Sequence, residues 1–215
     1  MKFYKLSVFL VALLLISTAF FPLVSAAETN QEMAKIADKL QVTRISGDDK
    51  TGEYVATYKV SDTVTKTFHL KKYLATVDGR DVVKVEVYEQ TPSGLLATES
   101  VFGKDSYAYY TGSGWSIHLG PVDMGFLRTG GTTAVGAFGA WLAAAIGLTG
   151  GAALLFAVAL VAAFIIGTYF YTNNDGSMDI GISDAAMLFI PVAIVLPGPQ
   201  PVPLTIKGMS VILLL

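Results

Sequence analysis

The longest apolar segment of the chain lies between Arg128 and Asp175, where residues 129–174 include no Asp, Glu, Lys or Arg. A helix at the surface of a soluble protein needs a wet, charged face, so a segment of this kind has to be buried on every side by a very large domain or by a bilayer. The remaining residues are too few to bury it. The pattern therefore predicts a membrane-type segment in the C-terminal half of the chain.

Glycines divide this segment into two predicted helices. Three glycines fall within residues 147–151, and a glycine inside a helix costs about 1 kcal/mol relative to alanine, so a break there is favoured. The prediction is an apolar helical hairpin with helices at 132–148 and 152–171. The second helix is long enough to cross a hydrocarbon core of about 30 Å, and the first is at the short limit. A single span with a re-entrant or surface-lying first helix is the alternative.

Small residues recur every four positions in both predicted helices, and such lines let helix backbones approach closely in lipid. They favour tight packing of the hairpin on itself, with self-association into an oligomer or pore as the alternative. Aromatic residues in and at the end of the hairpin suit a membrane interface. The predicted packing positions are Gly136, Gly139, Ala140, Ala143, Gly147, Gly151, Ala159, Ala163 and Gly167, and the predicted interface aromatics are Trp141, Tyr169, Phe170 and Tyr171.

A hydrophobic period of two precedes the hairpin. Apolar and polar residues alternate over residues 53–60 and again over 64–70, and residues 82–88 are rich in β-branched side chains. Each pattern is typical of a strand with one wet face, and the close turns between them predict an antiparallel meander. The predicted fold class is α+β, in which a small antiparallel β-meander domain is followed by the apolar, membrane-type helical hairpin and by C-terminal apolar strands.

The first residues have the composition of a secretory signal peptide, with Lys2 and Lys5 before an apolar stretch that ends in small residues at Ala26. An uncleaved N-terminal anchor is the alternative, and the predicted location is the cell membrane or the medium. The predicted segments are a signal peptide (1–26), an N-terminal helix (27–41), the β domain (42–120), a Gly-rich connector (121–131), the hairpin (132–171) and apolar strands (172–215) with a Pro-rich turn (197–203).

Composition argues against several classes of function. The formal net charge is −2, which argues against the basic face of a nucleic-acid-binding protein. The absence of cysteine removes disulfides, thiolate metal sites and a cysteine nucleophile, and in an exported protein it favours a prokaryotic envelope or medium. The two histidines, His69 and His118, lie outside any zinc-binding spacing, and no nucleophile elbow is present. We therefore expect no catalytic, cofactor-binding or metal site.

In organisation the chain resembles bacteriocin precursors. It shares with them a signal peptide, a polar N-terminal part and a Gly/Ala-rich apolar module, here residues 114–119, then 129–134 and the hairpin. The resemblance implies a non-enzymatic, exported, membrane-active protein whose hairpin inserts into a lipid bilayer. With that function, an immunity protein is a possible partner, in addition to the self-association that the lines of small residues offer as an alternative.

The alternative function is a membrane-anchored envelope protein. Its β domain would lie outside the cell and serve as a structural or partner-binding module for another envelope protein. One candidate contact surface is formed by Lys59, Lys66, Lys71 and Lys72, although a run of charges is equally typical of a solvated face. The two functions differ in whose membrane the hairpin enters.

Overall fold

The structure is a computed structural model. It describes residues 38–48, 50–193, 196 and 200–214, without the side chains of 162–171 and 214. The predicted signal peptide and most of the predicted N-terminal helix lie outside the described residues. At the end of that predicted helix, Leu40 already begins a strand.

In the described part of the chain, nine strands form one antiparallel sheet, and their order across the sheet is their order along the chain. They are β1 (Leu40–Gly47), β2 (Gly52–Lys59), β3 (Thr65–Val77), β4 (Arg80–Glu89), β5 (Tyr107–Tyr110), β6 (Gly114–Leu119), β7 (Met178–Ser183), β8 (Pro201–Ile206) and β9 (Met209–Leu214). Two-residue connections join β3 to β4 through Asp78 and Gly79, with φ angles of 51° and 73°, and β8 to β9 through Lys207 and Gly208, with φ angles of 50° and 71°. These angles suit type I′ turns.

Four helices are inserted between strands of the described chain. Three of them lie between β6 and β7 and together form a helical insertion, and the fourth lies between β7 and β8. They are α1 (Pro121–Thr129), α2 (Gly131–Ile146), α3 (Gly150–Tyr171) and α4 (Asp184–Ala193). Gly147 ends α2 in the left-handed conformation, with φ of 78°, and its N–H donates to the carbonyl of Ala143.

One face of the sheet is apolar and faces the helices. In β4, Val85 and Val87 are fully buried, whereas Lys84 and Glu86 point to the opposite face and stay partly accessible. Burial alternates in the same way along β7 and β8. This period of two follows from strand geometry, which directs successive side chains to opposite faces.

The helices pack on the apolar face and complete one core with it. Helix α2 lies over the first five strands, α4 lies over β6–β8, and α3 packs on α2 and contacts both edge strands, β1 and β9. The approach of α2 to β2 is close, because a Cβ atom at Gly136 would lie 2.2 Å from Cδ1 of Tyr58. A residue without a side chain at this position therefore lets the helix reach the sheet.

The prediction of an apolar helical hairpin separate from the β domain is wrong, and so is the fold class built on it. The helices share one core with the strands, and β7–β9 extend the same sheet as β1–β6. Among the described residues, no helix combines the length and apolar character needed to cross a membrane. A transmembrane helix is therefore also a wrong prediction.

The physical reason for this difference is the extent of the sheet. The nine described strands offer an apolar face broad enough to bury α2. From the sequence pattern we expected too few residues outside the apolar segment to bury it. Within the predicted apolar strands of 172–215, residues 184–193 form α4 instead. Ser183 favours the start of this helix, because its Oγ accepts a hydrogen bond of 3.2 Å from the N–H of Ala186.

Candidate partner-binding face

The face of the sheet opposite the described helices carries polar and aromatic side chains. Its register places five of them in one row across β3–β7, in the order Tyr73, Lys84, Tyr107, His118 and Asp179. Residues directly opposite each other in neighbouring strands share a face, so the row lies on one side of the sheet. We call this surface the open face, and it also includes Arg80, Glu86, Tyr88 and Tyr109.

Glu86 holds two tyrosines of the open face in place. The hydroxyl of Tyr73 donates to Oε1 of Glu86 at 2.9 Å, and that of Tyr88 donates to Oε2 at 2.6 Å. The bond from Tyr88 lowers the pKa of Glu86, and burial with the bond to Glu86 raises the pKa of Tyr73 to about 12. At neutral pH the carboxylate is therefore ionised and both hydroxyls remain donors.

Tyr107 and Tyr109 each rest against a neighbouring side chain. The ring of Tyr107 stacks on the imidazole of His118, with centroids 4.7 Å apart and 21° between the planes. The guanidinium of Arg80 lies 4.3 Å from the centroid of the Tyr109 ring, a cation–π contact. These contacts restrict the rotamers of both tyrosines, so the open face is ordered before any partner arrives.

His118 and Asp179 form an ion pair at the far end of the row when the imidazole is protonated. Nδ1 of His118 lies 2.8 Å from Oδ1 of Asp179, and the amide of Asn173 donates to Oδ2 at 2.9 Å. The contact between the pair raises the pKa of His118 and lowers that of Asp179. A carboxylate can orient a histidine for catalysis in this way, but within the described residues the pair has no hydroxyl nucleophile bonded to it.

The described residues support a metal site or a small-molecule site less well than they support a partner-binding face. The described part of the chain contains no group of three His, Asp or Glu side chains that could hold a metal ion. A polar surface cleft of about 440 Å³ lies where the start of β3 meets the loop after β4. Two of its lining residues, Lys66 and Glu89, neutralise each other in an ion pair of 2.5 Å.

A buried carboxylate that sequence analysis missed fastens α1 to the loop before β5. Asp123 is 1% exposed and accepts hydrogen bonds of 3.0–3.3 Å from the backbone N–H groups of residues 103–106. In return, Asp105 accepts from the N–H groups of Val122 and Asp123 and caps α1. Burial raises the pKa of Asp123, and the charge of Asp105 acts in the same direction. The arrangement is structural.

The residues predicted to pack in lipid or to lie at its interface differ in their burial and in their contacts. Gly136 lies against Tyr58, a Cβ at Gly139 would lie 3.0 Å from Cδ2 of Leu40, and Trp141 is fully buried. Ala140 is buried, Ala143, Gly151 and Ala159 are half-buried, and Gly147 is exposed. The side chains of Ala163, Gly167, Tyr169, Phe170 and Tyr171 lie outside the description.

The four lysines considered as a contact surface do not share one face. Lys71 and Lys72 are consecutive in β3 and point to opposite sides, with Lys72 buried on the helix side. Lys59 and Lys66 each form an ion pair with a nearby acid. The open face is therefore the better candidate surface.

Comparison with protein-family models, with curated proteins and with solved structures gives no match. The function has to be inferred from the geometry of the open face.

Proposed function

We propose that the chain is a non-enzymatic, exported protein that binds a partner protein through the open face of its sheet. The observation that carries this proposal is the row of tyrosine, histidine and charged side chains on a face that no described helix covers. Tyrosine offers a large contact area at a low cost in rotamer entropy and is enriched at protein interfaces. Export is supported by the predicted signal peptide.

Preorganisation and charge define the kind of partner. Tyr73 and Tyr88 are fixed by Glu86, so binding them loses little side-chain entropy. Lys84 lies toward one end of the row and Asp179 at the other. A fitting partner therefore presents apolar or aromatic side chains to the tyrosines, with an acidic group near Lys84 and a basic group near Asp179.

Insertion of a hairpin into a bilayer is not proposed, because it requires free apolar helices and α2 is packed on the sheet. Contact with a lipid surface, self-association and binding of an immunity protein remain predictions from the sequence.

Photo-cross-linking in the intact producing cell tests the proposal. A photoreactive phenylalanine analogue at Tyr109 would report on the open face, and the same analogue at Tyr110 provides a matched control. Tyr110 follows directly in β5, is 53% exposed and points to the other side, where its hydroxyl donates to Asp184 at 2.7 Å. We expect a discrete protein adduct from position 109 and none from position 110.

The same partner should bind more weakly to Tyr107→Ala. Truncation of one central aromatic residue in an interface costs about 1–2 kcal/mol, which corresponds to roughly a 5- to 30-fold loss of affinity. Isothermal titration with the purified adduct partner measures it. Equal cross-linking from both positions, or unchanged affinity of Tyr107→Ala, would reject the open face as the binding surface.

A further inference from the structure

The ion pair of His118 and Asp179 stands at the base of the helical insertion. The chain leaves the sheet after Leu119, forms α1–α3 and returns at Met178, so the pair joins the residues next to the exit and the entry point. The contact of 2.8 Å thus connects the two ends of the insertion.

The segment that follows α3 is tied to the same pair. The Asn173 amide donates to Oδ2 of Asp179 at 2.9 Å and to Oγ of Ser177 at 3.0 Å. From the turn between β8 and β9, Nζ of Lys207 donates to the carbonyl of Thr172 at 2.9 Å. Side-chain contacts from three parts of the chain therefore converge where α3 ends.

We propose that His118, Asp179 and Asn173 form a clasp that holds the end of the helical insertion to the sheet and that loosens when His118 loses its proton. The protonated imidazole attracts the carboxylate that also receives the Asn173 amide. Loss of that charge weakens the hold on Asp179 and, through it, on Asn173. His118 and Asp179 belong to the open face, but the clasp acts within the chain, so its test needs no partner protein.

The groups around His118 determine the pH range of the clasp. Asp179, followed by the more distant Asp175 and Asp105, favours the charged imidazole and raises its pKa, while partial burial opposes them. Tyr107 stacks on the ring from β5, and the backbone N–H of Lys207 donates to the Asp179 carbonyl at 3.0 Å, while the Lys207 ammonium group donates to the Thr172 carbonyl.

The sign of the pH effect follows from the direction of each shift. A histidine with a raised pKa stabilises the fold fully below its unfolded value of about 6.5, and the contribution is lost as pH rises through the folded pKa. The lowered pKa of Asp179 gives a contribution that is present above about pH 3.9 and lost in acid. The clasp is therefore strongest between about pH 4 and pH 6.5.

Native-state hydrogen exchange of the full chain tests the clasp. Protection factors of amides 172–178, corrected for intrinsic exchange rates, are compared at about pH 5.5 and about pH 8.5. We expect protection to fall about threefold at the higher pH, as for the loss of a partly exposed ion pair, with no change in the hairpin of β3 and β4. In His118→Gln the fall should disappear.

His69→Gln is the matched control, because His69 is the other histidine of the chain and lies in β3. It should retain the fall in protection. A second measurement needs no variant: the side-chain amide resonances of Asn173 should titrate with the midpoint of His118. Any of four results would overturn the proposal. Protection of amides 172–178 could be independent of pH, or its fall could persist in His118→Gln. Protection in β3 and β4 could fall in parallel, or the side-chain amide of Asn173 and the imidazole of His118 could titrate with different midpoints.

Discussion

Replacing Asp123 with alanine is expected to lower the free energy of unfolding by about 3–5 kcal/mol. The substitution leaves four backbone N–H groups of residues 103–106 without their acceptor, and two of these bonds are fully buried. A buried donor without a partner costs about 1–3 kcal/mol. The total loss of unfolding free energy therefore stays large even if water hydrates the two partly buried N–H groups, those of Lys104 and Asp105. Urea denaturation followed by circular dichroism measures it.

Asp62→Ala is the control for this prediction. Its carboxylate is 97% exposed and forms an ion pair of 2.8 Å with Lys59, so the expected loss is small and well below that of Asp123→Ala. Similar losses in the two variants would show that the Asp123 carboxylate does not organise the loop before β5.

Trp141→Ala is expected to lower the free energy of unfolding by about 3–5 kcal/mol in detergent-free buffer. Trp141 lies in α2, is fully buried and contacts the ring of Phe102 edge-on, with centroids 5.9 Å apart. Its Nε1 has no hydrogen-bond partner within the described residues. Trp141→Phe keeps most of the aromatic contact and removes that buried donor, so it should lose less, about 1–2 kcal/mol.

The loss measured for Trp141→Ala also distinguishes a buried Trp141 from one that faces lipid. A residue at a membrane interface would contribute little to stability without detergent, so a loss below about 1 kcal/mol for Trp141→Ala would contradict its burial against Phe102. Trp115→Ala is a suitable control, because Trp115 is only half-buried. We expect its effect to be smaller than that of Trp141→Ala.

Local patterns account for the strands that could be predicted. The alternation around Val85 and Val87 identifies β4, and the Asp78-Gly79 pair identifies the turn before it, because both signals depend on residues a few positions apart. The sequence of α1 has no clear hydrophobic period, and its start depends on Asp105, which is distant in the chain. This helix was therefore missed.

The surroundings of the apolar helices could not be predicted in the same way. Lipid and the buried face of a sheet both present apolar surface, so the composition of α2 fits either. The deciding facts are nonlocal, such as the approach of Gly136 to Tyr58 and the continuation of the sheet through β7–β9.

Only part of the open face could be predicted from the sequence, for a similar reason. Period-two alternation places His118 on the polar side of a strand but does not show which strands are neighbours, and Tyr73 lies beyond the predicted strand at 64–70, in the part of β3 that continues to Val77. His118 and its partner Asp179 are 61 positions apart in the chain, so no local pattern pairs them. Only the register of the whole sheet brings the members of the open face together.

Disulfide formation tests most directly whether α2 is packed on the sheet. The chain has no cysteine of its own, and a Cβ at Gly136 would lie 2.8 Å from Cγ of Tyr58. Cysteines at these two positions should therefore be within the Cβ separation of about 4 Å that a disulfide requires. Thr57→Cys with Gly136→Cys is the control, because Thr57 precedes Tyr58 in β2 and points to the opposite face.

We expect Tyr58→Cys with Gly136→Cys to form an intramolecular disulfide in high yield on mild oxidation of the folded protein without detergent. The disulfide would be seen as a shift in non-reducing electrophoresis and by peptide mass mapping. The Thr57 control should remain reduced. Failure of the Tyr58 and Gly136 pair to cross-link in the folded protein, or equal cross-linking of the control, would contradict the packing of α2 on the sheet.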